Sequence, residues 1–172
     1  YVPQDVFLFS ETVENNIGFG LGKTDRAAVE KAARQASVEK EITGFARHYD
    51  TMIGERGVTL SGGQKQRISI ARALIKNPNL IIFDDCLSAV DARTEKEIIG
   101  NLNEYLQDKT AIIITHRIFS LLSFHKIVVL ENGEIVEQGT HQQLLDINGY
   151  YSGLYTRQQE QETSLNGSDA DN

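Results

Sequence analysis

The sequence has little of what secreted, membrane-spanning or nucleic-acid-binding proteins need. Its one cysteine, Cys86, has no partner among the 172 residues, so a disulfide framework is excluded and a reducing compartment is expected. No apolar run approaches the roughly 20 residues that cross a bilayer, and nothing resembles a signal peptide. The net charge of −7 argues against the clustered Lys and Arg of a nucleic-acid footprint. We therefore expect a soluble chain with no nucleic-acid partner.

The apolar residues that are present suffice for a core, and in the first third of the chain they follow a helical pattern. Thr24 or Asp25 can cap one helix, and a second helix follows Ser37. A third helix is predicted over 62–76, where Asn77-Pro78 ends it because the residue before proline avoids the helical region.

Beyond residue 79 strands and helices alternate, which predicts an α/β fold. Continuous apolar runs at 80–83 and 111–114 predict strands that are covered on both faces of a parallel sheet. After residue 157 the composition turns to Gln, Glu, Ser, Asp and Asn, which predicts disorder. Three further local signals are a helix over 92–106, a hairpin turn at Asn132-Gly133 and a capping box of Thr140 with Gln143.

The most informative segment runs from Leu60 to Arg67. Two glycines at a helix start let another molecule approach the backbone, and free N–H groups there attract phosphate oxygens. A flexible turn explains the glycines alone, but not the whole octet. The segment resembles the Leu-Ser-Gly-Gly-Gln signature of the ATP-binding cassette (ABC) ATPases. The signature residues are Leu60, Ser61, Gly62, Gly63 and Gln64.

The same resemblance continues on both sides of the signature. Gln4 matches the family's glutamine loop, which helps to hold Mg²⁺ and the attacking water and couples the site to the membrane domain. Residues 51–57 look like the segment that exporter-type members carry and that contacts their transmembrane part. By contrast, residues 18–24 are rejected as a phosphate loop, because their glycine spacing is wrong by one and no strand leads into them.

The strand at 80–84 matches the family's Walker B strand, whose carboxyl end meets ligands in α/β sheets. Asp84 would hold Mg²⁺ through water, since hard cations prefer oxygen ligands. Most members place the general base next, as a glutamate, but this chain has Asp85. Its carboxylate is withdrawn by about 1.5 Å, one carbon–carbon bond, which is expected to weaken catalysis.

Two more positions follow in the family's order. Residues 88–91 match the D-loop, in which Asp91 lies beside the other subunit's site, and Asp91 can equally be the N-cap of the helix that follows. His116, after the second apolar run, matches the switch histidine that contacts the γ-phosphate. The predicted catalytic residues are thus Gln4, Asp85 and His116.

The resemblance implies a P-loop NTPase core of the ABC type, incomplete at the N-terminus, with a helical subdomain. The chain opens on Tyr1-Val2-Pro3 without a methionine, which predicts a cut edge, with the phosphate loop upstream and the fragment alone inactive. The expected divisions are 1–78 for the glutamine loop, helical subdomain and signature helix, 79–157 for the C-terminal half of the ATPase core, and 158–172 for the disordered tail.

The implied function is ATP hydrolysis that drives export. ATP and Mg²⁺ would lie between one subunit's phosphate loop and the signature of a second ABC ATPase subunit. The chain would sit at the cytoplasmic face of the cell membrane, with its transmembrane domain encoded upstream. Asp85 beside an intact signature favours a heterodimer in which this chain contains the weakly hydrolysing site. A homodimer with slow turnover stays open as the alternative.

Two other classes are weighed against this function. A soluble ABC ATPase of DNA maintenance or translation would lack the exporter-type segment at 51–57, and the acidic charge gives no support for DNA contact. A non-catalytic nucleotide-binding module stays open because of Asp85, and ATP hydrolysis by the full-length protein distinguishes it.

Overall fold

The structure is a computed structural model that describes residues 1–54, 57–118 and 122–168, without the side chains of residues 162 and 164–168. Helices and strands alternate in its second half, as expected for an α/β fold. In chain order the elements are α1 (Val13–Ile17), α2 (Arg26–Gln35), α3 (Glu39–Gly44), a 3₁₀ turn (His48–Asp50), α4 (Gly62–Leu74), β1 (Leu80–Asp84), α5 (Ala92–Tyr105), β2 (Thr110–Ile114), β3 (Ile127–Glu131), β4 (Glu134–Gly139), α6 (His141–Ile147) and α7 (Tyr150–Ser168).

The chain divides into two compact units, Tyr1–Thr115 and His116–Asn172. The first contains α1 to α5 with β1 and β2, and the second contains β3, β4, α6 and α7. The sequence-based divisions at residues 78 and 157 stay predictions.

Helix α4 is the centre of the first unit, and α1 and α2 pack against it. Its residues Ile68, Ile70, Ala71 and Leu74 are buried on more than one side of the helix. A helix that is apolar around most of its surface needs cover from several elements. The helices that carry the predicted Asp25 cap and the predicted signature therefore share one core.

A buried polar cluster ties α1 to α4. Asn16 is fully buried, and its side-chain amide donates to the backbone oxygens of Phe9 and Thr12 at 3.0 Å. Arg72 donates to the Asn16 backbone oxygen at 2.8 Å, to the Asn16 side-chain oxygen at 2.9 Å and to the Phe7 backbone oxygen at 2.9 Å. Burial lowers the pKa of Arg72 from its ordinary value. The segment that follows Gln4 is thus fastened to the signature helix.

Strands β1 and β2 pair in parallel, with Ile82 opposite Ile112. The expectation that the second apolar run is covered on both faces is wrong for the described chain, because Ile112 is 47% and Ile114 is 50% exposed. Alternate residues of a strand share a face, so one face of β2 is open as a whole. An apolar run indicates that a strand can be buried, but the residues that pack on its two faces have to come from distant parts of the sequence.

The second unit is a hairpin followed by two helices. The predicted turn is present: Asn132 and Gly133 have φ of 49° and 83° between the antiparallel strands β3 and β4. The predicted capping box is also present, with the Thr140 and Gln143 side chains each bonded to the other's backbone. A small core forms around Ile118, Leu144 and Tyr151.

The end of the chain differs from its prediction. Helix α7 continues through Ser168, whereas the composition predicted a disordered tail over 158–172, of which 169–172 lie outside the described residues. Gln and Glu are good helix formers, and the helix is anchored where Tyr151 is buried and Leu154 packs against the core. None of the described helices has the length and apolar character to span a membrane.

Arg72→Met tests the polar cluster. We expect the free energy of unfolding to fall by about 2 kcal/mol, because the variant removes three hydrogen bonds to part-buried oxygens, while the Asn16 side-chain oxygen keeps only the bond from the Phe9 N–H. Urea denaturation of both proteins measures the change. Lys31→Met replaces an exposed lysine of α2 and is the matched control, with an expected change below ~0.5 kcal/mol. Equal losses in the two variants would contradict this role of Arg72.

Candidate functional site

The predicted signature forms the start of α4. Ser61 is the N-cap: its hydroxyl accepts from the Gln64 backbone N–H at 3.2 Å, while the Gln64 side-chain oxygen accepts from the Ser61 N–H at 3.0 Å. Leu60 is buried and anchors the turn before the helix. This reciprocal capping leaves the other N–H groups of the first turn, those of Gly62 and Gly63, without partners inside the helix, as at any helix N-terminus.

The two signature glycines lie against the loop after β1. A Cβ at Gly62 would be 3.3 Å from the Ala89 Cβ, and one at Gly63 would be 2.9 Å from the Ala89 carbonyl oxygen. The second distance is too short for any side-chain carbon. Glycine is therefore needed for close packing within the chain, in addition to any ligand that approaches the turn.

The acidic pair, Asp84 and Asp85, lies at the carboxyl end of β1. The Val2 N–H donates to the Ile82 oxygen at 2.8 Å, and the Asp84 N–H donates to the Val2 oxygen at 2.9 Å. This short parallel pairing brings Gln4 to the same edge, where its side-chain amide donates to the Asp85 carboxylate at 3.2 Å. The structure thus brings together Gln4 and Asp85, which the sequence placed in one site from 81 positions apart.

Asp85 has a left-handed backbone, with φ of 42°. Its N–H donates to the Ile114 carbonyl oxygen at 2.8 Å, so the end of β2 holds the turn. Aspartate tolerates this conformation better than most residues, because its short side chain bonds to nearby backbone. The acidic pair is therefore split between a strand residue and a turn residue, and both side chains are half-buried.

Asp91 caps α5, as one of its two interpretations predicted: its carboxylate accepts from the Thr94 N–H at 2.9 Å. That hydrogen bond is the main cause of the lowered pKa of Asp91. The Asp91 side chain is exposed, so its contact with a second subunit stays a prediction.

Sequence reasoning missed two polar contacts at this site. The Tyr1 hydroxyl donates to the Asp84 carboxylate at 2.6 Å, and this bond raises the pKa of Tyr1. Gln66 is buried and binds Ser88 and Ala89, which belong to the loop between the acidic pair and Asp91. Gln66 lies one helical turn after the signature glycines, and this spacing was the signal from which a contact of Gln66 near the site could have been predicted.

Several known proteins resemble this chain over most of its length. A family model described as ABC transporter matches residues 1–88. The chain belongs to the ABC transporter family. It is 50% identical over 159 residues to a probable multidrug resistance ABC transporter ATP-binding/permease protein of Bacillus subtilis. It is 48% identical over 158 residues to a multidrug resistance-like ATP-binding protein of Escherichia coli. Each of the two alignments covers 92% of this chain.

A solved structure of a bacterial Atm1-family ABC exporter with ATP bound superposes with a TM-score of 0.82 and 41% identity, covering 91% of this chain. The ABC transporter chain described here spans 27% of the length of that structure and of both curated relatives. The α/β fold with a helical part before β1 is therefore that of an ABC ATPase.

Three predicted features of this ABC transporter chain remain: His116, the exporter-type segment and the rejected phosphate-loop pattern. His116 is exposed and begins the second unit, and its role stays a prediction. In the exporter-type segment, Glu55 and Arg56 lie outside the described residues, and the Ile53 N–H donates to the Glu11 oxygen at 3.0 Å. The rejected phosphate-loop pattern at 18–24 follows a helix, α1, and not a strand.

Cys86, next to the acidic pair, is 3% exposed. Burial raises the pKa of its thiol to about 12, and the neighbouring Asp85 adds to the shift. The thiolate is the reactive form of cysteine, and a buried thiol with so high a pKa forms little of it at neutral pH. Cys86 therefore contributes to packing and not to chemistry.

Gly63→Ala tests the close contact in this ABC transporter chain. We expect a loss of about 1–3 kcal/mol in the free energy of unfolding, because the added methyl group overlaps the Ala89 carbonyl oxygen. Gly100→Ala, in α5 with open space around it, is the control and is expected to be neutral or to gain up to ~1 kcal/mol from helix propensity. Thermal unfolding compares the two, and similar behaviour of both variants would argue against the contact.

Proposed function

We propose that this chain is the signature and acid-bearing part of an ATP-hydrolysing subunit of an exporter. The observation that carries the proposal is the acidic pair at the end of β1, with Gln4 bonded to Asp85 and the signature turn packed on the loop that follows. Its relatives in Bacillus subtilis and Escherichia coli are named for multidrug resistance, and the similar exporter structure holds ATP.

The oxygen atoms at this edge are suited to Mg²⁺. Asp84, Asp85 and the Gln4 amide offer oxygen ligands, but the described residues contain no group of three or more His, Cys, Asp or Glu that could hold a metal alone. Mg²⁺ commonly takes one or two carboxylates and completes its shell with water and phosphate oxygens. When bound with ATP, it would supply charge neutralisation at the phosphates. Asp84 is the residue that would hold it.

The remaining residues position and activate water. Asp85 is the proposed general base, and the hydrogen bond from Gln4 orients its carboxylate. An aspartate reaches about 1.5 Å less far than a glutamate at the same place. The Gln4 side chain keeps its amide oxygen for the water or the metal, and His116 would contact the γ-phosphate. This arrangement supports slow hydrolysis at the chain's own site.

A second ABC ATPase subunit is the proposed partner. The N–H groups at the start of α4 can stabilise phosphate oxygens of a nucleotide that the partner holds, in line with the partial positive charge of a helix N-terminus. With Asp85 in its own site and an intact signature, this chain fits the weak-site half of a heterodimer. The subunit would lie at the cytoplasmic face of the cell membrane, joined to a transmembrane domain.

Asp85→Glu in the full-length transporter tests the role of side-chain reach. We expect the rate of ATP hydrolysis to rise, because the longer side chain brings the carboxylate nearer to the water, whereas Asp84→Asn and His116→Ala should lower it. The gain is limited by the left-handed backbone at residue 85, which glutamate tolerates less well than aspartate. Steady-state hydrolysis by reconstituted protein gives the comparison.

The size of the increase in the hydrolysis rate distinguishes a homodimer from a heterodimer. A homodimer has the weak site twice and should respond more than a heterodimer, in which the partner's strong site dominates turnover. No gain from Asp85→Glu in a proven homodimer would remove the argument for a weak site.

The 172-residue chain alone should bind Mg-ATP weakly or not at all. Its sequence contains no phosphate loop, and hence neither the lysine nor the nest of N–H groups that bind the β- and γ-phosphates. Calorimetry with Mg-ATP is the measurement, and a dissociation constant in the low micromolar range would refute the expectation.

A further inference from the structure

Gln66 links the signature helix to the loop that follows the acidic pair. It is 5% exposed, and both ends of its amide are used. The nitrogen donates to the Ser88 hydroxyl at 3.2 Å, and the oxygen accepts from the Ala89 N–H at 3.0 Å. A buried amide that is satisfied at both ends holds its two partners in one defined arrangement.

The connection continues to the acidic pair. The Ser88 hydroxyl donates to the Asp85 backbone oxygen at 3.0 Å, and the Ser88 N–H contacts the same oxygen at 3.3 Å. A continuous path of hydrogen bonds therefore runs from α4 through Gln66 and Ser88 to the backbone of Asp85. All of these residues lie in the first unit.

We infer that Gln66 is a positioning residue for ATP hydrolysis, which rests on the proposed function. The signature turn serves a nucleotide held by the partner subunit, whereas Asp85 serves the nucleotide held by this chain. Gln66 joins the two within one chain, so that a shift of the signature helix is passed to the loop at Ser88 and to Asp85. The two sites of the dimer are thereby coupled through a bond inside each subunit.

Packing alone does not provide this link. Leu87 and Val90 are buried and hold the two sides of the loop, but Ser88 and Ala89 between them are exposed. The hydrogen bonds that join Ser88 and Ala89 to α4 are those with Gln66. The contact with Gly63 prevents the loop from moving closer to the helix, but it does not prevent the loop from moving away. For the exposed Ser88 and Ala89, that restraint comes from the two hydrogen bonds of Gln66.

The test compares Gln66→Met with Gln66→Glu in the full-length transporter together with its partner. Methionine keeps the volume but removes both hydrogen bonds, whereas glutamate keeps an acceptor for the Ala89 N–H and an oxygen facing Ser88. For Gln66→Met we expect kcat for ATP hydrolysis to fall about tenfold, below the ~10²-fold of a full 1 Å misplacement, with KM changed less than about twofold. Gln66→Glu should keep more of the activity. Gln107→Met, at an exposed glutamine after α5, is the control without effect.

A double-mutant cycle with Ser88→Ala separates positioning from general damage. If the link runs through Ser88, the double variant loses no more than Gln66→Met alone, because both changes break the same path. Additive losses, or equal losses in Gln66→Met and Gln66→Glu, would overturn the inference. So would full activity of Gln66→Met beside an active wild type. A wild-type transporter that hydrolyses no ATP would instead refute the proposed function, and this inference with it.

Discussion

The arrangement of the first unit depends on how closely two stretches of backbone approach each other. The signature turn at Gly63 meets the Ala89 carbonyl at a distance that leaves no room for a side chain. Because both stretches belong to short turns, neither can yield without losing its own hydrogen bonds. The anion-attracting end of α4 and the loop after the acidic end of β1 are therefore in direct backbone contact, although each end is proposed to serve a different nucleotide.

Features that depend on neighbours in sequence were the ones that could be predicted. A helix cap involves residues within about three positions, and the caps at Asp25 and Thr140 are present as the local pattern indicated. Helix α4 was expected over 62–76 and ends at Leu74, and α5 was expected over 92–106 and ends at Tyr105. The order of the candidate site residues along the chain was equally accessible, because it needs no geometry.

Features that depend on distant residues could not be predicted in the same way. Nothing in the pattern around Asn16 indicates that Arg72, 56 positions later, will bind it. The link from Gln66 to Ser88 spans 22 positions and was also missed. The exposure of Ile112 and the helical backbone over 158–168 were missed for the same reason. Residues from elsewhere in the fold decide whether a strand is buried and whether a helix is stabilised by packing.

The burial of Cys86 has a practical consequence for labelling. A thiol that is out of reach of solvent and has its pKa raised to about 12 reacts slowly with maleimide or with a spin-label reagent at neutral pH. It is also the sole cysteine of the chain. Fluorophores and spin labels attached to cysteines introduced on exposed turns would therefore be selective within this chain, and the native residue beside the acidic pair could be left in place.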